Sequence, residues 1–386
     1  MLDKALSGSR TYYMWLAGLL GVIGVGFGCY LYQFTQGLGV TGLSRDVSWG
    51  FYIAQLTYLV GVAASGVMLV MPYYLHDHKV FGKITILGEF MAVGAIVMCG
   101  LFVVVDLGQP MRMLNIILYP TPNSVLFWDM LVLNGYLILN LVIGWSILQA
   151  DTKGDTVAKW VKVLIYVSIP FAISIHTVTA FLYAGLPGRH FWLTAIMAAR
   201  FLSSAFCAGP AILLLIILFL RKAAEFEVKD EAVRSLSVII TYAMLANVFF
   251  LGLEFFTAFY SQIPGHMHAF VYLYKGLEGH GALVPWMWAS SILAVFCLIL
   301  LVPPKFRKND KLLPVALVAL VAATWIDKGL GLVVAGFIPN PLEHVVEYVP
   351  TLPELGISLG VYAIGALVVT VLYKIAIEVK KTAAEH

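Results

Sequence analysis

Three polar side chains, each inside a long apolar stretch, carry the first chemical information in this chain of 386 residues. They are Gln55, Asp129 and His176. An amide, a carboxylate and an imidazole at a similar depth could hydrogen-bond the carbonyl oxygens of a quinone and accept the protons that leave when a quinol is oxidised. A structural alternative stays open, in which Asp129 caps its helix and His176 bonds a neighbouring helix.

A second group of polar residues suggests a route for protons. Glu89 lies near one end of its apolar stretch, and Asn134, Ser168 and His176 continue a polar file toward the opposite membrane face. Such residues are costly in a membrane, at roughly 2.5–3.5 kcal/mol for a central Asp, Lys or Arg on insertion scales. The alternative for Glu89 is a surface carboxylate that extends to the membrane interface.

A third group lies in the C-terminal half and consists of Glu254, Asp327 and Lys328. We include these residues in the predicted proton path, with a purely structural polar network as the alternative. Because neighbouring residues project about 100° apart on a helix, we expect Asp327 and Lys328 to find separate partners.

The elements that carry these residues are long apolar segments. The chain is 61% hydrophobic and 12% charged, whereas a soluble protein has about 25% charged residues. Each apolar segment is long enough to cross the hydrocarbon layer of about 30 Å as a helix. The ten segments are residues 12–35, 47–75, 84–105, 125–148, 160–184, 201–220, 235–260, 283–301, 313–337 and 358–378.

The distribution of Lys and Arg residues predicts the orientation of these spans. With the N-terminus inside, 18 of the 24 basic residues fall on the cytoplasmic side, and Lys328 falls inside a span. The remaining five would lie outside, namely Arg45, Arg112, Arg189, Arg200 and Lys275. The positive-inside rule therefore predicts an integral protein of the cell (inner) membrane with both termini in the cytoplasm.

The distribution of Cys and His argues against a metal cofactor held by this chain. The four cysteines lie in four different spans and form no C-x-x-C pair, and among nine histidines only His176 lies well inside a span. A cluster needs several thiolates, and a membrane haem needs facing histidines. We therefore expect neither haem nor iron–sulfur cluster in the chain.

The order of the spans predicts an all-α membrane protein with two four-helix bundles, made of spans 2–5 and 6–9, flanked by spans 1 and 10. We treat residues 1–386 as one membrane domain, with the first bundle at 47–184 and the second at 201–337. Small residues at 60–66 and 202–209 are typical of helix contacts.

The loop between spans three and four is rich in Gly, Pro and charge. It contains Asp106 and Arg112, and it leads through Pro120 and Pro122 to Trp128 at the start of span four. A surface of this kind suits either partner docking or a rigid loop held by an Asp–Arg pair.

These motifs resemble the NrfD/PsrC family of quinone-interacting membrane subunits. The resemblance rests on the Asp-Leu-Gly-x-Pro-x-Arg loop that ends at Arg112, the Pro-Asn-Ser before Trp128, the Gly-Leu-Pro-Gly-x-x-Phe-Trp segment that ends at Trp192, and Ser204-Ala205 with Gly209. It extends over essentially the whole chain, and the ten spans are similar to the branch from sulfate reducers. Gln109 departs from the motif, which often has Arg there.

The resemblance implies a role in electron transfer. Such a subunit exchanges electrons between menaquinone and an extracytoplasmic iron–sulfur protein of the DsrO/NrfC kind, within a complex that holds further cytochrome and membrane subunits. The implied quinone site is near the outer face of the first bundle, where Gln55, Asp129 and His176 fall and where Trp128 would shield them. Asp106 and Arg112 would lie at its outer edge.

Two other classes of function remain open from the residues. A secondary transporter suits ten spans and the Asp327-Lys328 pair, although we see no obvious Gly or Pro break of the kind expected at a central substrate site. A passive membrane anchor for redox partners would leave four polar residues without a chemical role, namely Gln55, Glu89, Asp129 and His176.

The charge division makes the orientation testable. Reporter domains fused after Lys153, Lys229 or Arg307 should report a cytoplasmic location, whereas fusions after Gln109 or Gly279 should not, because the basic loops remain inside. Alkaline phosphatase and green fluorescent protein fusions measure this directly. A cytoplasmic signal at Gln109 would contradict the predicted outer-face site.

Overall fold

Ten long helices form the protein in a computed structural model that describes residues 2–76 and 78–384. They are long and apolar enough to cross a membrane, which confirms the all-α, ten-span prediction. We number them α1 Arg10–Gln36, α2 Phe51–Leu75, α3 Thr85–Asp106, α4 Val125–Lys153, α5 Lys159–Ala184, α6 Met197–Ala223, α7 Asp230–Tyr260, α8 Val284–Leu301, α9 Leu312–Ala335 and α10 Leu352–Ala384.

The ten helices define two faces of the molecule. Both described chain ends lie on one face, where Lys4 donates a hydrogen bond to the Thr382 hydroxyl. We call it the terminal face. The opposite face, the distal face, carries the loops before α2, α4, α6, α8 and α10.

Two four-helix bundles make up the centre of the fold. In the first, α2 packs on α3, α3 on α4, α4 on α5, and α5 returns to α2. The second repeats this order with α6, α7, α8 and α9. The helices α2 and α6 join the bundles, with further contacts of α5 on α6 and of α2 on α9.

Small residues bring the two bundles together. A Cβ atom at Gly209 of α6 would lie 3.0 Å from the Gly61 carbonyl oxygen of α2, and one at Gly61 would lie 3.4 Å from the Ala205 Cα. Because lipid tails are as apolar as Leu, helix association in a membrane depends on such close backbone packing. The small-residue segments singled out in the sequence are therefore the two sides of one contact.

The outermost helices α1 and α10 both belong to the side of the first bundle. They pack against each other, and α10 also packs on α3. Their closest approach is at Gly26 and Gly360, where a Cβ atom on Gly26 would lie 2.5 Å from the Gly360 Cα.

Two of the spans are not regular α-helices throughout. The α2 helix has a turn at residues 64–66 and a π-helical segment at Met71–Leu75, and α9 has a π-helical segment at Trp325–Gly331. Extra residues in a helical turn shift the direction of the side chains that follow. In α9 this segment carries Asp327 and Lys328.

The close approach of α1 and α10 yields a stability prediction. Gly360→Val should destabilise the protein by about 1–3 kcal/mol, because its side chain must force two helices apart. The matched control is Gly18→Val on α1, where an added Cβ meets nothing within 4 Å. Thermal unfolding in detergent measures both variants, and equal midpoints would contradict the packing described.

Candidate functional site

His176 provides a free proton acceptor in the interior of the first bundle. The side chain is fully buried on α5, and its Nδ1 lies 2.9 Å from the Ala172 carbonyl oxygen. Because a carbonyl oxygen can only accept, the hydrogen belongs on Nδ1, and the neutral ring then presents a lone pair at Nε2. This Nε2 has no hydrogen-bond partner among the described residues.

Asp129 reaches the same face of α5 through Thr179. The Thr179 hydroxyl oxygen lies 2.6 Å from Asp129 Oδ1 and 2.6 Å from the Ile175 carbonyl oxygen. A hydroxyl has one hydrogen, so Thr179 donates either to Asp129 Oδ1 or to the Ile175 carbonyl oxygen, and in the second case a protonated Asp129 can donate to Thr179. The arrangement can therefore hold a proton at Asp129.

Thr179 is not among the residues that the sequence pointed to, although its spacing gave a signal. It lies three residues after His176, and residues three apart share one face of a helix. Both side chains are buried in the first bundle, as is Asp129. The three groups therefore belong to one polar patch in its distal half, which we call the α5 patch.

Gln55 lies on another side of α2. Its Oε1 accepts hydrogen bonds from Trp325 Nε1 at 2.8 Å and from the Tyr362 hydroxyl at 2.6 Å. The helix α5 is contacted instead by Thr57, whose hydroxyl bonds that of Tyr183. Residues two apart project in nearly opposite directions on a helix, so α2 separates Gln55 from the α5 patch. The expectation that Gln55, Asp129 and His176 face one another is therefore not met by these contacts.

Trp128 is partly exposed, and its shielding role stays a prediction. It is 46% exposed, and its Nε1 donates to the Pro122 carbonyl oxygen at 2.8 Å. The distal end of α5 is instead packed by other aromatic rings, to which the sequence gave no role at the site. Tyr183 packs edge-on to Trp192 with ring centres 5.0 Å apart, and Trp192 stacks on Trp49 at 5.7 Å.

The distal loop before α4 presents an open surface. Arg112 is exposed there, and the buried Oδ1 of Asp106 has no hydrogen-bond partner in the described part of the chain. The Asp–Arg pair of the rigid-loop alternative is thus absent from the contacts of Asp106 Oδ1. Large apolar side chains are also exposed in the loop, including Met111 at 82% and Tyr119 at 75%.

The predicted polar file across the first bundle is only partly formed. Glu89 is buried on α3 with Oε2 unpaired within the described residues, so it is not a surface carboxylate. Ser168 is buried and donates to the Ile165 carbonyl oxygen. Asn134 is exposed on α4 and donates to Met130 of its own helix, which removes it from an interior path. Asn140, two turns farther along α4, is the buried amide.

The second bundle contains a buried ion network centred on Arg200. Its guanidinium donates to both carboxylate oxygens of Asp327, at 2.8 and 3.0 Å, and also forms an ion pair with Glu254. All three side chains are buried. The expectation that Arg200 lies in an outer loop is wrong, because α6 begins at Met197 and includes it.

Lys328 completes this charged group on the side of the first bundle. Its Nζ lies 3.3 Å from the Phe201 carbonyl oxygen and 4.4 Å from the centre of the Phe201 ring. A Cβ atom on Gly61 of α2 would lie 3.1 Å from the same Nζ. Asp327 and Lys328 thus have separate partners, as the helical spacing predicted, and the group holds two cations and two carboxylates.

The ion network predicts that removal of its central cation alone destabilises the protein more than removal of the cation together with both carboxylate charges. Arg200→Leu should cost about 3–5 kcal/mol, because it removes the cation that pairs directly with both buried carboxylates. Adding Glu254→Gln and Asp327→Asn to that variant should restore most of the folded yield, since neither carboxylate charge then remains. Size-exclusion chromatography of detergent-solubilised protein measures this yield. A triple variant no better than Arg200→Leu would argue against charge as the cause.

Comparison with known proteins places this architecture in a family. The family described as polysulphide reductase, NrfD matches residues 39–338. The chain is 25% identical to a putative membrane subunit of dimethyl sulfoxide reductase from Halobacterium salinarum, over 92% of this chain and 89% of that protein. It is 22% identical to a selenate reductase subunit from Mesobacillus selenatarsenatis, over 94% of this chain and 93% of that protein.

A third relative adds a further name. The chain is 22% identical to an Hdr-like menaquinol oxidoreductase integral membrane subunit of Archaeoglobus fulgidus, over 65% of this chain and 62% of that protein. The region matched by the family contains both bundles from α2 to α9, and α1 and α10 lie outside it. The chain is a multi-pass membrane protein that belongs to the NrfD family.

Proposed function

We propose that this chain is the membrane subunit of a respiratory complex and exchanges electrons between menaquinone or menaquinol and an extracytoplasmic iron–sulfur protein. Family membership supports this role, as do relatives named as membrane subunits of reductases and of a menaquinol oxidoreductase. Within the family, the sequence motifs resemble DsrP of the DsrMKJOP complex most, and HmcC next. Sulfur or sulfate respiration is therefore the proposed setting.

The buried lone pair at His176 Nε2 is the observation that carries the proposal. Oxidation of a quinol releases two electrons and two protons, and it requires a group that accepts a hydroxyl proton. His176 Nε2 is that group, and Asp129 can hold the second proton through its contact with Thr179. The two electrons pass to the partner protein, because the four cysteines are free and no metal-binding cluster is formed by the described residues.

The distal face is the proposed docking surface for the iron–sulfur partner, which we take to be DsrO-like. Met111 and Tyr119 expose apolar area there, and Arg112 offers charge. Exposed apolar patches of this kind are typical of protein interfaces. Asp106 and the α5 patch lie beneath this face, so electrons need not cross the whole membrane. The positive-inside rule makes the distal face extracytoplasmic.

Proton movement through the chain is a second part of the proposal. Glu89 lies about one turn from the terminal end of α3, at Thr85. Ser168 lies between Glu89 and the α5 patch along the bundle. Glu254, Asp327 and Lys328 offer a separate charged route in the second bundle, and Arg200 holds both carboxylates in place.

The interrupted helix α9 is the feature that favours a transporter as a second candidate, because broken helices often form substrate sites. The charged residues of α9 argue against a transporter. Arg200 already pairs with Asp327 and Glu254, so these carboxylates offer little to a substrate. We therefore retain electron exchange as the proposed function.

His176→Ala tests the proposal. Quinol-dependent electron transfer in the assembled complex should fall by roughly 10²-fold or more, the usual scale for loss of a positioned base. Reduction of the partner's clusters by artificial dyes should be unchanged, which separates lost chemistry from failed assembly. Asn134→Ala is the matched control, because this exposed polar residue of α4 should leave turnover normal. Normal quinol turnover in an assembled His176→Ala complex would refute the assignment.

A further inference from the structure

An apolar groove opens on the outside of the second bundle. It lies between α7, α8 and the short helix Pro264–Tyr274 that precedes α8, and its volume is about 500 Å³. We call it the α7–α8 groove. Neither His176 nor Arg200 lines it. Only 33% of the most apolar stretch of α7 and 22% of that of α8 are buried, so both helices present most of their surface to the hydrocarbon of a membrane.

The α7–α8 groove extends through one half of the membrane. On α7 its lining begins at Phe259, next to the distal end of the helix, and continues to Val248. On α8 it extends from Trp288 to Leu298. Each wall is about 15–16 Å long at roughly 1.5 Å per residue, which is half of a hydrocarbon layer of about 30 Å. An acyl chain of one leaflet has this extent, whereas the transmembrane helix of a partner would need a surface of the full thickness.

Aromatic rings form the distal half of the groove and hold one another in place. Phe255 packs on Phe270 with ring centres 4.2 Å apart and on Tyr274 at 5.3 Å. Tyr274 packs edge-on to Trp288 at 5.7 Å, and its carbonyl oxygen accepts a hydrogen bond from Trp288 Nε1 at 3.0 Å. Because these contacts shape the groove before a ligand enters, they lower the conformational cost of binding.

The interior of the groove suits hydrocarbon and not a polar head group. Tyr274 and Ser291 bond each other through hydroxyls 3.1 Å apart, and Ser291 also lies 3.0 Å from the Met287 carbonyl oxygen. Residues deeper in the groove, such as Ala294 and Leu298, are apolar. A polar group that entered here would lose its hydration without replacement. The head group of a bound lipid must therefore remain at the distal rim.

Lys275 supplies a charge at this rim. It directly follows the short helix, lines the groove and is exposed. Its ammonium group has no ion pair among the described residues, because Glu347 pairs with His280 and Glu278 does not line the groove. Trp288, at the same rim, is 53% exposed, as is typical of Trp at a membrane–water interface. A lysine beside an acyl-chain groove attracts an anionic head group.

We propose that the α7–α8 groove binds an anionic glycerophospholipid of the distal leaflet, with one acyl chain in the groove and the phosphate at Lys275 Nζ. Three features support this assignment, namely the depth of the groove, its apolar interior and the unpaired ammonium group at its rim. Lipid binding here does not depend on electron exchange, because the α5 patch belongs to the other bundle.

Lipid retention by the purified full-length protein tests the groove. The protein is placed in nanodiscs of phosphatidylcholine, phosphatidylglycerol and menaquinone and re-isolated in mild detergent, and all three lipids are measured per chain by mass spectrometry. Wild type should retain phosphatidylglycerol in excess of phosphatidylcholine. Gly252→Phe, which fills the groove from a position where an added Cβ meets nothing within 4 Å, should abolish that excess. Gly100→Phe on α3 is the matched control, since an added Cβ there also meets nothing within 4 Å, and it should keep the excess.

Two further variants separate the acyl chain from the head group. Ala294→Phe fills the same groove from α8 and should act as Gly252→Phe does, so the test does not depend on the folding of one variant. Lys275→Gln should lower the excess by about fivefold, the scale for one lysine beside an anionic lipid surface. Arg45→Gln removes a cation at another exposed position of the distal face and should leave the excess unchanged.

The outcomes distinguish this site from the proposed electron exchange. His176→Ala should lose quinol turnover and keep the excess of phosphatidylglycerol. Four results would overturn lipid binding at the groove. They are equal retention of both phospholipids by wild type, an undiminished excess in Gly252→Phe and Ala294→Phe, an undiminished excess in Lys275→Gln, and loss of menaquinone in place of phospholipid when the groove is filled.

Discussion

The lack of water inside a bilayer is the constraint on which this structure depends. A polar group in hydrocarbon must find its partner within the protein, because an unsatisfied group costs several kcal/mol. The fold meets part of this demand in the second bundle, where Arg200 holds Asp327 and Glu254. Within the described residues it leaves the demand unmet at several buried atoms, among them His176 Nε2, Glu89 Oε2 and Glu254 Oε1. These exceptions mark the places where ligands and protons are expected.

The irregular helix α9 contacts both bundles, because it bonds Gln55 of α2 and also carries part of the ion network. Its π-helical segment directs Trp325 to Gln55, Asp327 to Arg200 and Lys328 to Phe201. Charge in the second bundle and hydrogen bonding beside the first bundle are thus fixed by one short segment. A change in that segment would alter both.

The position of α2 determines how the polar residues divide. One face of the helix carries Thr57 toward α5, and the other carries Gln55 toward α9 and α10. Small residues along α2 let α6 approach closely, and the helix stands between the two polar groups. This division separates Gln55 from His176 and Asp129, which the sequence suggested as one site.

The sequence by itself determined the class of the protein, its ten spans and the residues most costly to bury, because hydropathy and charge act locally along the chain. It also predicted separate partners for Asp327 and Lys328, which follows from helical spacing alone. It could not determine that Arg200 belongs to a helix, because a charged residue at the edge of an apolar segment reads as part of the loop. It also could not determine that Asn134 is exposed on the outside of the bundle, since hydropathy that is high all around a helix does not report its rotation. The partners of Gln55 and the role of Thr179 required tertiary structure, because hydrogen bonds between helices depend on which faces meet.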